Sequence, residues 1–268
     1  MTNSHRSDPN LEFASEVEDA RRQMSDLLTN PKSIADWRGP APRGLDFMLR
    51  KQAAFSELIG EVTDTFEGWR ILDYGCGEGA WLRMFLEMDA KPSDLLGVDI
   101  SDKQLEIGRG KNPPIDLRQI DGWQIPCNDE SFDLVTQFVC FSSIPNPQLR
   151  HAVAREIQRV LKPGGYVYWW DLPRTVAPTE RGTPLEPEGF FNWNVRRRWY
   201  ARKPRPSECI RPSKARRSRI VKAVIGSLVD LLRYRDTHLA ALIGPKPGPA
   251  LPKIPGRARN KSREYVGS

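Results

Sequence analysis

The chain has 268 residues, 39% of them hydrophobic and 28% charged, which is typical of a globular protein with room for one sizeable domain. It has no run of about 18 apolar residues, and its first residues are polar and acidic, so we expect neither a transmembrane helix nor a signal peptide, and a cytoplasmic location. Four cysteines and three histidines occur without a metal-ligand spacing, so we expect reduced thiols and no metal site.

The net charge of +7 is concentrated in one segment. Residues 196–219 contain eleven Lys or Arg and one acid, a net charge of +10, which leaves the remainder of the chain at −3. Aromatic residues accompany these arginines, a composition found where RNA or a phosphate-bearing ligand is bound, but also in a solvated insertion over a substrate pocket. Because the remainder of the chain is near neutral, we favour a small-molecule partner, with an anionic one as an alternative, over nucleic acid.

Two helices are predicted before the first strand. Residues 1–44 form a polar extension with an amphipathic helix at 11–28 and a turn-rich linker at 36–44. Residues 45–66 have apolar side chains at helical spacing and begin the predicted core domain, 45–172.

Within this core, short apolar runs alternate with helical patterns. The predicted helices occupy 80–88, 102–109 and 149–161, and Ser101 is positioned to cap the second of them. The third helix ends at a Lys-Pro-Gly-Gly turn, 162–165. The predicted strands are WRILDYG (69–75), LLGVDI (95–100), IDLRQI (115–120), FDLVTQF (132–138) and YVYWWDL (166–172). Strands that alternate with helices predict an α/β fold with a parallel sheet covered on both faces.

The alternation stops after residue 172. Residues 173–219 are rich in Pro, Arg and aromatics, and we expect a loop or irregular insertion that forms a wall or lid of a substrate site. Residues 220–245 predict a helix at 220–232 and a final strand, THLAALIG. Residues 246–268 form a Pro/Gly/basic tail that we expect to be mobile.

The stretch ILDYGCGEGAWL, residues 71–82, contains three glycines after a strand that ends near Asp73. Such a loop lets the backbone approach a ligand closely, and the helix that follows presents free amides. The pattern Gly75-x-Gly77-x-x-Ala80 fits the dinucleotide fingerprint. The pattern Asp73-x-Gly75-x-Gly77-x-Gly79 fits a different motif, and a tight turn without a ligand is the third alternative.

Two further acids lie where the next two strands end: Asp99 at the end of the second strand and Asp121 after the third. A carboxylate at Asp99 can accept from both ribose hydroxyls. A carboxylate at Asp121 can accept from an adenine amino group, with Trp123 near the ring, or can initiate a turn. An acidic lip of Asp73, Asp99 and Asp121 would repel a pyrophosphate and suit a ligand with positive charge, such as a sulfonium with an ammonium group.

These motifs together resemble the class I S-adenosylmethionine-dependent methyltransferases, most of all the small bacterial "type 11" enzymes. The resemblance covers about residues 66–172, and THLAALIG is similar to the family's last strand. It implies a Rossmann-like, mostly parallel, seven-stranded sheet with the last strand antiparallel and helices on both faces. It also implies S-adenosylmethionine as the cofactor, bound at the carboxyl edge. The motifs that carry it are ILDYGCGEGAWL, LLGVDIS, QIDGWQIP, FDLVTQFVCFSSI and EIQRVLKPGGYVYWWDL.

The resemblance assigns cofactor contacts to four strand ends. The methionine would be lined by Asp73, Gly75, Cys76 and Gly77. The ribose would be held by Asp99, with Ile100 packed on the adenine. The adenine edge would be held by Asp121, Gly122 and Trp123, and the methionyl amine would be contacted by backbone carbonyls of Gln137 and Phe138.

The catalytic residues are less clearly marked. Methyl transfer is an in-line displacement that needs positioning, and a base only when the acceptor must lose a proton early. Many family members have a His pair after the fourth strand, where this chain has Ser142 and Ser143. Asp171, at the end of the fifth predicted strand, could orient or deprotonate an acceptor. All three residues have a turn-capping alternative, and we expect Cys140 to belong to the core.

The sequence therefore predicts an enzyme that methylates oxygen or nitrogen of a small molecule: a sugar, a glycolipid intermediate or a secondary metabolite. A catalytically silent relative that binds a partner or RNA through the basic segment is one alternative, motivated by the absent His pair. A nicotinamide-dependent oxidoreductase on the same sheet is the other. The sequence does not indicate an oligomeric state.

Overall fold

The computed structural model of the chain describes residues 13–29, 42–111, 113–144, 146–175, 182–191, 194–201 and 238–244. The helices are α1 (Ala14–Thr29), α2 (Pro42–Ile59), α3 (Ala80–Leu86), α4 (Asp102–Lys111) and α5 (Pro147–Val160). The strands are β1 (Ile71–Tyr74), β2 (Leu95–Asp99), β3 (Asp116–Gln119), β4 (Phe132–Phe138), β5 (Leu161–Asp171), β6 (Asn194–Ala201) and β7 (His238–Gly244).

The strands form one sheet in the order β3-β2-β1-β4-β5-β7-β6. Strands β1 to β5 pair in parallel, and β7 runs antiparallel to both β5 and β6. The predicted α/β fold class, a mostly parallel Rossmann-like sheet with an antiparallel last strand, is confirmed. Because β1 to β4 pair in parallel, their carboxyl ends lie at the same edge of the sheet, where ligands bind in folds of this kind.

Both faces of the sheet are buried, which explains why the central strands are continuous apolar runs. All residues of β1 and β7 are buried. Neighbouring residues on β5 point to opposite faces of the sheet. Trp169 belongs to the buried apolar cluster that includes residues of α1 and α5, whereas Trp170 belongs to the one that includes residues of α2, α3 and α4. This alternation is the two-residue period of a strand, so one strand contributes to two cores.

The largest boundary differences from the sequence-based predictions concern α2 and β5. Helix α2 begins at Pro42, inside the predicted linker, because proline is well suited to the first helical position. It ends at Ile59 rather than at residue 66. The predicted Lys-Pro-Gly-Gly turn lies within β5, where Gly164 has a φ of +80° and the pairing with β4 shifts register between Phe132 and Leu134.

The prediction of an irregular segment over residues 173–219 is wrong at residues 194–201, which form β6 at the edge of the sheet. Its pairing with β7 is irregular, with a register shift between Val195 and Arg197. The predicted helix at 220–232 and the tail at 246–268 lie outside the described residues. Among the described helices, none has the length and apolar character needed to cross a membrane.

Candidate cofactor site

The glycine loop between β1 and α3 has the backbone conformation that its sequence predicts. Gly75, Gly77 and Gly79 have φ values of +75°, +53° and +69°, in the left-handed region that glycine adopts without steric cost. The amides of Gly75 and Cys76 donate to the Val98 carbonyl at 2.9 and 3.0 Å, which ties the loop to β2. A Cβ added at Gly75 would stand 3.0 Å from the Cys140 Sγ, so the loop and the chain after β4 approach closely.

Asp99, the expected ribose ligand, also supports this loop. One carboxylate oxygen accepts from the Gly77 amide at 2.8 Å and the other accepts from the Ser101 amide at 2.8 Å. Burial raises the pKa of Asp99, while these backbone hydrogen bonds oppose the rise. Each carboxylate oxygen has a second lone pair, so Asp99 can hold the loop and still accept from a ribose hydroxyl.

Asp73 lies beneath the loop rather than on its rim. The residue is 2% exposed, and its carboxyl group accepts from the Thr136 hydroxyl at 2.8 Å. Burial raises the pKa of Asp73 to about 7, although the Thr136 hydrogen bond and the charge of Lys51 both act to lower it. Near neutral pH this carboxyl is therefore partly protonated, and it contributes less negative charge than the predicted acidic lip required.

Asp121, the third acid of the predicted acidic lip, forms a salt bridge with Arg21. Asp121 has a side chain 90% exposed, and its Oδ1 lies 2.5 Å from the Nη2 of Arg21 on α1. The Arg21 Nε also donates to the carbonyl of Ile100 at 3.1 Å. Next to Asp121, Gly122 has a φ of +102° and Trp123 packs against the buried cluster. Sequence reasoning missed Arg21 because it is 100 residues away from Asp121.

A second cation that sequence reasoning missed comes from α2. The Lys51 ammonium lies 4.6 Å from the centroid of the Trp81 ring and 5.2 Å from that of Phe138. These two rings stack with their centroids 4.0 Å apart and their planes 6° apart. Burial lowers the pKa of Lys51 to about 8, opposed by the charge of Asp73. Phe138 therefore presents an aromatic face here, in addition to the backbone contact predicted for it.

The chain turns sharply after β4. Val139 has a φ of +57°, a strained conformation for a β-branched residue, and its amide donates to the Trp170 carbonyl at 2.7 Å. Gln137 is fully buried: its Oε1 accepts from the Cys140 amide at 3.1 Å, and its Nε2 has no partner among the described residues. Cys140, expected in the core, is only partly buried and lies against the glycine loop.

The candidate catalytic residues Asp171 and Ser142 come together, but both are fully buried. The Asp171 carboxylate accepts from the Ser142 amide at 3.3 Å and from the Leu172 amide at 2.7 Å. Burial raises the pKa of Asp171 to about 6, while hydrogen bonds from Ser142 and neighbouring amides oppose the rise. Ser143 is partly buried, and its hydroxyl donates to the Val139 carbonyl at 3.4 Å. In this arrangement the three residues hold the turn after β4.

The region from β1 into β5 is similar in sequence to known proteins. Residues 71–165 match the family model described as "Methyltransferase domain". Methyltransferase GfsG of Streptomyces halstedii is 30% identical over 166 residues, which is 57% of this chain and 56% of that protein. Demethylmenaquinone methyltransferase of Staphylococcus aureus is 30% identical over 116 residues, covering 42% of this chain and 46% of that protein. The chain thus spans about half the length of the curated relatives it matches.

Solved structures share the fold at low sequence identity. The Haloferax volcanii complex of the Trm112 methyltransferase activator with a putative methyltransferase matches with a TM-score of 0.58 and 18% identity, over 85% of this chain and 99% of that chain. A structure titled as the [4+2]-cyclase SpnF matches with a TM-score of 0.55 and 22% identity, over 87% of this chain and 97% of that chain. At these identities the likeness concerns the fold alone, and one fold can carry more than one reaction.

Proposed function

We propose that this protein transfers a methyl group from S-adenosylmethionine to oxygen or nitrogen of a small molecule, because residues 71–165 match the family model described as "Methyltransferase domain" and related proteins are methyltransferases. The observation that carries the proposal is the left-handed glycine loop joined to Asp99, the acid placed to accept from a ribose.

The described residues fit the cofactor that the family implies. The glycine loop has a left-handed backbone at Gly75, Gly77 and Gly79, and a substituent on Gly75 would press on Cys140, so glycine is needed there to keep the loop in this conformation. Asp99 would accept from the ribose, and the Trp123 and Ile100 side chains would pack near the adenine. Lys51 would balance the methionine carboxylate, because it is a cation placed beside the aromatic pair at this edge. The bound cofactor supplies an activated methyl group on a sulfonium.

The residues of the chain then bind and orient the cofactor and the acceptor, and they exclude water from the site. In-line displacement requires the acceptor atom to lie opposite the leaving sulfur, which is a positioning task. Asp171 and Ser142 are fully buried, so neither provides a base open to an acceptor in the arrangement described. This favours an acceptor whose proton is lost late or is already lost at neutral pH, such as an amine or an acidic hydroxyl.

A small-molecule acceptor is supported by the relatives, one of which is named for demethylmenaquinone. Among the acceptors that the sequence suggests (a sugar, a glycolipid intermediate or a secondary metabolite), we propose one that offers an amine or an acidic hydroxyl, because Asp171 and Ser142 are fully buried. That the aromatic and basic segment, residues 173–219, forms the substrate wall together with residues 36–50 stays a prediction, and an anionic acceptor would suit the charge of this segment. A cytoplasmic location stays a prediction.

Calorimetric titration of the purified full chain with S-adenosylhomocysteine, and with NADH as the comparison, tests the proposal. Micromolar binding of S-adenosylhomocysteine alone is expected. Asp99→Ala should weaken this binding by about 1.5–3 kcal/mol, because a charged acceptor and a support of the loop are both lost. Asp102→Ala, which removes an exposed acid at the start of α4, is the matched control and should bind normally. Unchanged binding in a folded Asp99→Ala protein would refute the assigned cofactor pose.

A catalytically silent relative is the second candidate, favoured by the burial of Asp171 and Ser142. It predicts that S-adenosylhomocysteine binds but that no methyl group is transferred. Incubation with methyl-labelled S-adenosylmethionine and a panel of amines, phenols and sugars separates the two candidates. A labelled product supports the enzyme, and the alternative requires that none forms with any acceptor class. The oxidoreductase alternative predicts NADH binding instead.

A further inference from the structure

Helix α1 lies across the ends of β2 and β3, where adenine contacts were assigned. Its Val17 is buried, and a Cβ added at Gly122 would stand 3.5 Å from the Val17 side chain. Its Glu16 accepts from the Asn146 side-chain amide at 3.0 Å, and Asn146 caps α5. The helix is therefore attached by apolar packing at Gly122 and by a polar contact to the residue that caps α5.

One guanidinium joins the two strand ends under this helix. Arg21 donates through Nε to the Ile100 carbonyl at 3.1 Å, and through Nη2 to Asp121 Oδ1 at 2.5 Å and the Ile120 carbonyl at 3.5 Å. Glu18 of the same helix lies 3.7 Å from its Nη1. Arg21 thus contacts the loop after β2 and the loop after β3 simultaneously, and both loops carry residues assigned to the adenine.

Arg21 and Asp121 differ in solvent exposure, and this difference indicates that Arg21 restrains Asp121. The Asp121 side chain is 90% exposed, whereas that of Arg21 is 30% exposed. An exposed carboxylate on a loop samples several rotamers, and fixing it beforehand lowers the entropy lost on binding. Arg21 engages Oδ1, which leaves Oδ2 of Asp121 to accept a further hydrogen bond.

We propose that Arg21 is a positioning residue for adenine recognition: it holds Asp121 so that the second carboxylate oxygen accepts from the 6-amino group of the cofactor. The inference rests on the proposed function, since it concerns the same cofactor. It adds that base selectivity is set from α1, an element outside the matched methyltransferase domain.

The test compares two ligands that differ at the 6 position of the base. S-Adenosylhomocysteine carries an amino donor there, and S-inosylhomocysteine carries an oxo acceptor, which would face the carboxylate unfavourably. Calorimetry on the full chain should show the wild type preferring S-adenosylhomocysteine about tenfold or more. Arg21→Gln should reduce this preference to about threefold or less. Arg22→Gln is the control, because Arg22 on the same helix pairs only at the surface with Asp19 among the described contacts and should keep the full preference.

Arg21→Lys is a second test variant. Lysine keeps the positive charge but lacks the branched guanidinium that donates to two partners at once, so we expect a preference for S-adenosylhomocysteine between those of the wild type and Arg21→Gln. In an Asp121→Ala background, Arg21→Gln should change the preference no further. An unchanged preference in folded Arg21→Gln and Arg21→Lys would overturn the inference, as would tighter binding of both ligands, which would mark α1 as an obstacle to the cofactor. A wild type that binds both ligands equally would overturn the inference but leave the proposed function standing. No binding of either would overturn both.

Discussion

The glycine loop allows a prediction with an internal control elsewhere in the chain. Gly75 and Gly68 have nearly equal φ values, +75° and +76°. A Cβ at Gly68 would meet nothing within 4 Å, whereas a Cβ at Gly75 would stand 3.0 Å from the Cys140 Sγ and 3.2 Å from its Cβ. Alanine substitution at the two positions therefore adds the same backbone strain but a steric conflict at one only.

The magnitudes follow from these two contributions. A left-handed conformation costs a non-glycine residue roughly 1–2 kcal/mol, so Gly68→Ala should lower the unfolding free energy by about that amount. Overpacking adds roughly 1–3 kcal/mol, so Gly75→Ala should lower it by about 2–5 kcal/mol. Cys140→Ala removes the sulfur but not the Cβ, so the double variant Gly75→Ala/Cys140→Ala should recover part of the difference.

Urea denaturation measures the stabilities, and calorimetry with S-adenosylhomocysteine measures the effect on the site. Gly68→Ala should bind normally, while Gly75→Ala should bind at least about tenfold more weakly, a difference of about 1.4 kcal/mol. Equal stability and equal affinity of the two variants would refute the reasoning, because it would mean that the loop and the turn after β4 do not meet as described.

Three further predictions concern the elements around the site. Burial raises the pKa of Asp73 from its usual 3.8 to about 7, so the unfolded chain releases this proton first and the unfolding free energy falls as pH rises through that interval. Asp73→Asn should flatten this dependence in denaturation experiments between about pH 4 and 7, and a slope identical to that of the wild type would contradict the assignment. Thr136→Val removes the hydrogen bond to Asp73 and should cost about 1–2 kcal/mol by the same assay, with Thr63→Val, on an exposed turn, as the comparison. Asn146 accepts from the amides of Gln148 and Leu149, so Asn146→Ala should cost about 1 kcal/mol of unfolding free energy, whereas Asn146→Asp keeps the cap; equal losses in the two would point to the Glu16 contact instead.

The central α/β alternation was predictable because its signals are local. Apolar runs marked β1 to β5 and β7, and the glycine loop marked the strand-to-helix turn that follows β1. Segment β6 was not predictable in this way, since its pairing partner, β7, begins more than thirty residues further along the chain. Its sequence, rich in arginine and aromatics, does not alternate as a half-buried strand would.

The same division applies to the site. The position of Asp99 at the end of a strand was enough to predict an acid at the sheet edge, but not that it also accepts from the Gly77 amide. The acidic lip was inferred from charges counted along the sequence. It is weaker in the structure because burial alters the protonation of Asp73 and because Arg21 pairs with Asp121.

The sequence by itself determined the alternation of β1 to β5 with the helices between them, and the glycine loop, because periodicity and backbone freedom are properties of neighbouring residues. Only the tertiary structure decided which charges meet: Lys51 beside the Trp81–Phe138 pair, and Arg21 on Asp121. Such meetings depend on how helices dock on the sheet, and docking brings together residues whose separation along the chain carries no signal. The protonation of buried groups follows from the same packing, because desolvation acts on a carboxyl or an ammonium only once its neighbours have closed around it.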